Sequence, residues 1–284
     1  MPELRRFAQV DVFTATPLKG NPLAVVVDGD GLSDAEMQAF ANWTNLSETT
    51  FLLPPTDAAA DYRVRIFTTV RELPFAGHPT LGSCHAWLAA GGQPKGEVIM
   101  QQCGVGLVAI RHEHGHLSFA APPLKRSGPV EEATLSRICQ GLGLAPEDIV
   151  DHQWVDNGPG WCAVMLASAE QVLALRPDWA RLRGLELGVV GPYKVGAVGP
   201  RSDGLQFEVR AFISSDGVPE DPVTGSLNAG LAQWLIGAGM APESYIASQG
   251  TVLGRAGRIH VEREGSVIWI GGNVTPLVLG HVKL

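Results

Sequence analysis

Two adjacent carboxylates, Glu220 and Asp221, stand directly before a run of small and apolar residues in "EDPVTGSLNAGLAQWL", residues 220–235. A carboxylate at this place can exchange protons with a bound molecule, or it can simply be favoured by the positive end of a helix dipole. From residue 224 onward the composition is typical of a helix and there is no charge before Glu243. The N–H groups of a helix's first turn have no partners within the helix, so such an end attracts anions.

A second uncharged stretch follows "FAGHPT", residues 75–80. Residues 79–90 and 225–238 both lack Asp, Glu, Lys and Arg, and a helix without a polar face is buried on every side. In a strand-rich domain, the way to surround such a helix is to wrap a sheet around it. If the two halves face each other, both helix ends converge on one cleft, which would suit a small carboxylate-bearing molecule.

The two halves of the chain resemble each other around these helices. "VRIF" at 64–67 recurs as "VRAF" at 209–212, and a similar gap separates each from its uncharged stretch. The spacing is about half the chain, which is too long for a solenoid repeat. We therefore predict an α+β protein of two similar domains, each a curved mixed β-sheet rolled around a central buried helix.

Most of the chain consists of short segments rich in β-branched and aromatic residues, which predicts strands. These segments are 7–15, 23–29, 48–55, 62–68, 96–102, 106–113, 205–212, 257–264 and 267–273. A helix is expected to begin after Ser33, because Ser33 and Glu36 form the pattern of a capping box, and to run toward Trp43. Further helices fit 131–141 and 168–175. Pro and Gly in "APPLKRSGP", residues 121–129, mark a domain boundary.

The composition excludes several classes of protein. The formal net charge of −8 argues against nucleic acid as a partner, because its binders need a basic face. The uncharged stretches are broken by Gly, Pro, Asn and Gln, so none predicts a membrane span. The N-terminal residues lack the apolar segment of a secretion signal, and the four cysteines are widely separated. We therefore expect a cytoplasmic protein with free thiols.

Several motifs resemble the phenazine-biosynthesis PhzF-like family, in the order of that family and over nearly the whole chain. They are "VDVFTATPLKGNPLAVVVD" at 10–28, "NLSETTFLLPP" at 45–55, "RELPFAGHPTLGS" at 71–83, "NGPGW" at 157–161, "EDPVTGS" at 220–226 and "SQG" at 248–250 with "GR" following at 257–258. The resemblance implies the two-domain fold of diaminopimelate epimerase, with the active site between the domains. It also implies domains of residues 1–124, completed by 274–284, and 125–273, and a homodimer.

The same resemblance implies roles for individual residues. Glu48 is expected to carry the proton, although the residues alone favour a solvated glutamate at a strand end. In a cleft beside apolar neighbours its pKa should be raised. The other catalytic residues implied are His78 and Asp221, which orient substrate or shuttle protons. The substrate-binding residues implied are Gly77, Gly225, Ser226, Asn21 and Thr224.

The chemistry expected is an isomerisation by proton transfer on a small carboxylate, without metal or organic cofactor. Relatives with this fold that racemise amino acids use a thiol at the head of each central helix, but here those positions are Ala76 and Asp221-Pro222. Cys84 lies deeper in a helix that should be buried, where a thiol acts as a small hydrophobe. A racemase or epimerase that uses Glu48 with His78 or Asp221 remains an alternative, and so does a non-catalytic carboxylate-binding protein.

Weaker signals remain. His112, His114 and His116 alternate in "HEHGH", and on one face of a strand they could form a zinc patch. Gly115 instead favours a hairpin tip, and we predict no metal site. Gln249 and Arg258 could contact substrate or only join strands.

Overall fold

The computed structural model describes residues 3–113, 115–193, 204–213 and 219–284. The chain divides into two compact units. The first runs from the N-terminus to Ala120 and includes Gly271–Leu284, and the second is Ala121–Ile270.

In its N-terminal part, the first unit contains two helices and eight strands among the described residues. Its elements are β1 (Leu4–Val12), β2 (Asn21–Val26), α1 (Asp34–Thr44), β3 (Thr49–Leu53), β4 (Tyr62–Phe67), β5 (Glu72–Leu73), α2 (Gly77–Ala89), β6 (Ile99–Cys103), β7 (Gly106–Glu113) and β8 (His116–Ala120).

The second unit also combines short strands with a few helices. Its elements are α3 (Glu132–Leu142), β9 (Ile149–Trp154), β10 (Trp161–Leu166), α4 (Ala169–Ala174), α5 (Trp179–Leu182), β11 (Glu186–Pro192), β12 (Leu205–Ile213), β13 (Glu220–Asp221), α6 (Gly225–Gly237), β14 (Ser244–Gln249), β15 (Gly257–Glu264) and β16 (Val267–Gly272), within which the boundary between the units falls. The last strand of the chain, β17 (Val274–Lys283), returns to the first unit and pairs antiparallel with β1.

The strand pairings of the first unit recur in the second. In the first, β2 is antiparallel to β1 and parallel to β3, while β4 is antiparallel to β3 and β5 and parallel to β6, which is antiparallel to β7. In the second, β10 is antiparallel to β9 and parallel to β11, while β12 is antiparallel to β11 and β13 and parallel to β14, which is antiparallel to β15. The predicted mixed α+β architecture is confirmed, and the repeated pairing order supports the predicted duplication.

The two central helices are buried, as their lack of charge predicted. Nine of the 13 residues of α2 and 11 of the 13 residues of α6 are buried. The sixth residue of each helix is a glycine that lies against the surrounding strands. A Cβ on Gly82 would lie 2.5 Å from the Leu23 side chain, and a Cβ on Gly230 would lie 2.2 Å from the Val155 carbonyl oxygen. These glycines let backbone and sheet approach closely.

The remaining predicted elements are confirmed with shifts at their ends, and some strands were missed. The Ser33–Glu36 capping box is present at the start of α1, and α3 and α4 lie where helices were predicted. The strands β5, β8, β9, β10, β11, β13 and β14 were not predicted. The strand β10 is buried along its whole length, so its sequence has no alternation of polar and apolar residues to reveal it.

Candidate active site

Glu48 and His78 meet in the first unit. Glu48 immediately precedes β3, and His78 is the second residue of α2. Their side chains are 15% and 4% exposed, and Nε2 of His78 lies 3.4 Å from Oε2 of Glu48. This separation is longer than an ordinary hydrogen bond. A largely buried carboxylate beside an imidazole can exchange a proton with a bound molecule.

Asn21 sets the protonation of the His78 ring. The Nδ2 atom of Asn21, the first residue of β2, lies 3.3 Å from Nδ1 of His78. With the amide nitrogen of Asn21 toward the ring, Nδ1 is the acceptor of this hydrogen bond. The neutral ring then carries its proton on Nε2, which is the atom that faces Glu48. Asn21, predicted to bind substrate, is thus placed against the imidazole.

Burial keeps the His78 ring neutral. Loss of hydration lowers the pKa of the imidazole from 6.5 to about 3. At neutral pH His78 therefore has one N–H donor and no positive charge. This property favours a role in orienting a carboxylate or a substrate rather than in carrying the proton itself.

The two central helices begin without a side-chain cap. Ala76 precedes α2 and has no polar side chain, and the Thr224 side chain does not cap α6. The first residues of both helices, Gly77 and Gly225, are buried. A buried helix start without a side-chain cap is a place where an anion can accept hydrogen bonds from backbone N–H groups.

Asp221 is held by Thr224 in the second unit. The Thr224 hydroxyl donates a hydrogen bond to Oδ2 of Asp221 and accepts one from Nε2 of Gln249 at 2.9 Å. All three residues are buried. Thr224 was predicted to bind substrate, and in the structure its hydroxyl contacts the Asp221 carboxylate and the Gln249 amide.

Gln249 supports the start of α6 with its whole amide group. Its Oε1 accepts hydrogen bonds from the Thr224 N–H at 3.1 Å and from Nδ2 of Asn228 at 2.9 Å, and its Nε2 also donates to the Asp221 carbonyl oxygen at 3.1 Å. The sequence left Gln249 undecided, and the structure places it beside Asp221. Arg258, the other undecided residue, donates to Ser248 and to the Gly257 carbonyl within the sheet.

Ser226 is held by two residues of the "NGPGW" motif. Nε1 of Trp161 donates to its hydroxyl at 3.0 Å, and Nδ2 of Asn157 donates to its carbonyl oxygen at 2.8 Å. The sequence singled out the motif but assigned no role to either residue. Trp161 begins β10 as Asn21 begins β2, and Ser226 is second in α6 as His78 is second in α2. Both units therefore anchor the second residue of the central helix from the same strand position.

Glu220 serves a different purpose from its neighbour Asp221. Its two carboxylate oxygens each accept a hydrogen bond from Arg210 at 2.8 Å, and Arg210 also donates to the carbonyl oxygens of Val172 and Leu175. Both members of this ion pair are buried. Successive side chains of a strand point to opposite faces, so the two acids adjacent in sequence lie in separate environments.

The thiols are poorly suited to acid–base chemistry. All four cysteines are free, and Cys84 is completely buried in α2. Burial raises the pKa of the Cys84 thiol to about 12, and likewise that of Cys162. Both groups are protonated at neutral pH and act as small hydrophobes, as predicted for Cys84.

Part of the histidine cluster lies outside the described residues. His114 is not described, while His112 and His116 belong to the paired strands β7 and β8. Gly115 has a φ of 79° at the turn between them, consistent with the predicted hairpin tip. Among the described residues there is no group of three or more His, Cys, Asp or Glu side chains arranged for a metal ion. Within the described residues, no helix is long and apolar enough to span a membrane.

The fold is similar to that of a hydroxyproline epimerase from Agrobacterium vitis, with a TM-score of 0.58 at 14% identity. The chain belongs to the PhzC-PhzF family of phenazine biosynthesis-like proteins, whose match covers residues 10–276. A crystal structure of a PhzF-family protein from Enterococcus faecalis resembles it with a TM-score of 0.80 at 26% identity, over 99% of this chain and 100% of that one.

Curated relatives support the same conclusion. The chain is 37% identical to antisense-enhancing sequence 1 of Schizosaccharomyces pombe, over 96% of this chain and 97% of the relative. It is 32% identical to a trans-2,3-dihydro-3-hydroxyanthranilate isomerase of Pseudomonas aeruginosa, over 99% and 100% of the two chains. The protein is therefore an enzyme of a family whose named members include isomerases.

Proposed function

We propose that this enzyme isomerises a small carboxylate-bearing molecule by moving a proton between two of its carbon atoms, with Glu48 as the general acid and base and without a metal or organic cofactor. The observation that carries the proposal is the buried contact between Glu48 and His78. A carboxylate that is only 15% exposed and faces a neutral N–H donor has the environment of a proton-transfer group.

The proposed reaction conserves every atom of the substrate. The Glu48 carboxylate takes a proton from a C–H group, and the electron pair of that bond forms a new double bond as the existing one shifts. The protonated Glu48 then delivers a proton to the carbon at the far end of the shifted system, and exchange of its O–H with solvent before this step would place a solvent hydrogen in the product. One residue can serve both steps because its carboxyl group ends the cycle in its starting state.

His78 orients Glu48 in this proposal. Its Nε2–H faces Oε2 of the carboxylate and would hold Glu48 in a fixed orientation toward the substrate. Asn21 holds the opposite side of the ring and keeps the proton on Nε2. An imidazole with a pKa of about 3 does not compete for the substrate proton near neutral pH.

The start of a central helix would bind a substrate carboxylate. Gly77 and Gly225 offer backbone N–H groups without a Cβ in the way of a ligand. The Ser226 hydroxyl accepts a hydrogen bond from Trp161, so its own O–H can be donated to a carboxylate oxygen. Asp221, oriented by Thr224, would contact a polar group of the substrate or relay a proton.

Exchange of substrate protons with solvent tests the proposal. The first substrate to examine is trans-2,3-dihydro-3-hydroxyanthranilate, which the Pseudomonas aeruginosa relative isomerises according to its name. In D2O the native enzyme should incorporate deuterium into the product, as detected by mass spectrometry. Glu48→Gln should fold and bind but lose a factor of about 100 to 10,000 in rate, since the amide cannot carry the proton.

A matched control and a stereochemical readout complete the experiment. Glu97 is an exposed glutamate, so Glu97→Gln should exchange at the native rate. If Glu48→Gln retains the native rate of exchange, Glu48 is not the proton carrier. If deuterium enters with inversion at the same carbon and the double bond does not move, the enzyme is a racemase or epimerase. A folded protein that binds the substrate but neither exchanges its protons nor isomerises it would be a binding protein.

A further inference from the structure

A buried aspartate holds the residue that precedes Asn21. Asp11, in β1, is 1% exposed, and its Oδ2 accepts a hydrogen bond from the Gly20 N–H at 3.0 Å. The next residue, Asn21, begins β2 and contacts the His78 ring. Pro22 follows it and has no N–H, so it donates no hydrogen bond at this end of the strand. The Asp11 side chain therefore fixes the chain at the point where Asn21 enters the sheet.

Asp11 faces away from the central helix of its unit. Its neighbours Val10 and Val12 face α2, since a Cβ on Gly82 would lie 3.0 Å from a methyl carbon of each. Successive side chains of a strand point to opposite faces, so the Asp11 carboxylate lies on the other face of the sheet. It acts on His78 through the backbone rather than by direct contact.

The Asp11 carboxylate is not explained by the stability of the fold. Its Oδ1 is buried and has no hydrogen-bond partner among the described residues, and such an oxygen costs stability. Gly20 lies so close that a Cβ on it would be 2.9 Å from this Oδ1 and 2.2 Å from the Val12 carbonyl oxygen. The chain is thus pressed against the end of β1 at the residue before Asn21.

The second unit repeats this arrangement. Oδ1 of Asp156 accepts a hydrogen bond from the Gly160 N–H at 2.7 Å. Gly160 immediately precedes Trp161, the first residue of β10, which donates to the Ser226 hydroxyl. In both units an aspartate holds the glycine before the residue that anchors the second residue of the central helix, although the two connecting loops differ in length and sequence. This agreement indicates a requirement that the two units share.

We propose that Asp11 is a positioning residue for the proton-transfer step. Its bond to the Gly20 N–H fixes Asn21, and Asn21 keeps the proton of the His78 ring on Nε2. This inference rests on the proposed function, because there the Nε2–H orients Glu48. When Asn21 is displaced, the ring proton can move to Nδ1, and the carboxylate loses its oriented donor.

Asp156 is the counterpart of Asp11 for substrate binding. By holding Gly160 it fixes Trp161, whose indole supports the hydroxyl of Ser226. Ser226 is assigned to the substrate carboxylate in the proposed function, so loss of the Asp156 carboxylate weakens binding rather than slowing the proton step. The same structural device therefore has a different kinetic signature in each unit.

Nitrogen NMR of labelled histidine tests the inference without a substrate. Asp11→Val is similar in size and suits a buried strand position, but it has no acceptor for the Gly20 N–H. Its His78 signal should change from the Nε2–H tautomer to a mixture of both tautomers. Asp11→Asn keeps an acceptor oxygen and should retain the native signal. Asp156→Ala should retain it too, because the bonds that Asp156 accepts lie within the second unit.

Initial rates and deuterium exchange separate the two aspartates. In Asp11→Val kcat should fall about 10-fold with little change in KM, and Asp11→Asn should remain close to the native enzyme. In Asp156→Ala KM should rise about 10-fold with a smaller change in kcat. A residue that only stabilised the fold would leave the tautomer and the kcat per folded molecule unchanged.

A second variant serves if thermal unfolding shows that Asp11→Val is not folded. In Gly20→Ala the new Cβ would lie 2.2 Å from the Val12 carbonyl oxygen, so the chain before Asn21 must shift although Asp11 is kept. The expected result is the same mixture of His78 tautomers and the same fall in kcat.

The outcomes distinguish this inference from the proposed function. The native His78 tautomer, or the native kcat, in folded Asp11→Val overturns the role of Asp11, and the same result in folded Gly20→Ala overturns it where Asp11→Val does not fold. If the tautomers mix as expected while Glu48→Gln retains the native rate of exchange, the proposed function fails and the positioning of the ring by Asp11 stands.

Discussion

Nε2 of His78 lies 3.4 Å from Oε2 of Glu48, and the hydrogen on this nitrogen is set from the other side of the ring by Asn21. In many enzymes a hydrogen-bond partner on one ring nitrogen of a catalytic histidine fixes the orientation of the imidazole, and Asn21 occupies that position here. The difference is that burial holds this ring neutral. We therefore predict that Asn21 acts on the proposed proton carrier through His78, as a positioning residue.

Replacing Asn21 should reduce turnover more than binding. In Asn21→Leu the ring loses the donor at Nδ1, and the proton is free to move to that nitrogen and away from Glu48. We expect kcat to fall about 10- to 100-fold while KM changes little, because an oriented hydrogen bond of this kind is lost. Nitrogen NMR of labelled histidine should show a mixture of the two ring tautomers. A variant with the native tautomer and native kcat contradicts this role.

The neutral His78 ring should make folding stability depend on pH. Its pKa is about 3 in the folded protein and near 6.5 in the unfolded chain, so between these values the unfolded chain binds more protons. The free energy of unfolding that the neutral ring contributes is therefore fully present above pH 6.5. It is lost as the pH falls toward 3, by up to about 1.4 kcal/mol per pH unit.

The dependence on pH is measured by urea unfolding of the native protein and of His78→Gln between pH 7 and pH 4. The curve of His78→Gln should be flatter than that of the native protein. His281 is exposed, so His281→Gln should retain the native slope. Equal slopes for the native protein and His78→Gln show that the buried ring does take up a proton in the folded state.

The neighbouring acids Glu220 and Asp221 should have opposite mutant phenotypes. Glu220→Gln leaves the buried Arg210 without its countercharge and should cost about 3 kcal/mol of stability, while the activity per folded molecule is kept. Asp221→Asn should instead lower the activity and leave stability nearly unchanged, because Thr224 can still donate to the amide oxygen. Unfolding curves and initial rates on the same preparations decide the matter. Loss of activity in fully folded Glu220→Gln places Glu220 in the site.

Removal of the Ser226 hydroxyl should weaken binding more than the proton step. In Ser226→Ala the Nε1 donor of Trp161 loses its partner and the proposed donor to the substrate carboxylate disappears. We expect an increase in Kd of about 10-fold, in line with one hydrogen bond to a charged group. The rate of deuterium exchange at saturating substrate should change by a smaller factor. A normal Kd with a large loss of exchange would assign Ser226 to the proton step.

Activity should not depend on a metal ion. Proton transfer between carbon atoms by Glu48 requires only side chains, so dialysis against a chelator should leave the rate unchanged. The control is the same enzyme dialysed without chelator. Activity that disappears with the chelator and returns with zinc would require a metal site, and His112, His114 and His116 would be the first residues to replace.

The sequence by itself determined the features that depend on local composition. The absence of charge from 79–90 and 225–238 predicted two buried helices, because a helix without a polar face has no stable position at the surface. The Ser33–Glu36 pattern located the start of α1, because both partners of a capping box lie within one turn. The motifs around Glu48 and His78 led to the family.

Only the tertiary structure decided which of the polar residues act together. Gln249 lies 25 positions from Thr224, and Asn157 lies 69 positions from Ser226, so no local pattern connects them. Conversely, Glu220 and Asp221 are neighbours in sequence, but their side chains have different surroundings, because a strand turns successive side chains to opposite faces. Hydrogen bonds and ion pairs depend on distance in three dimensions, and that distance is set by how the strands pair around each central helix.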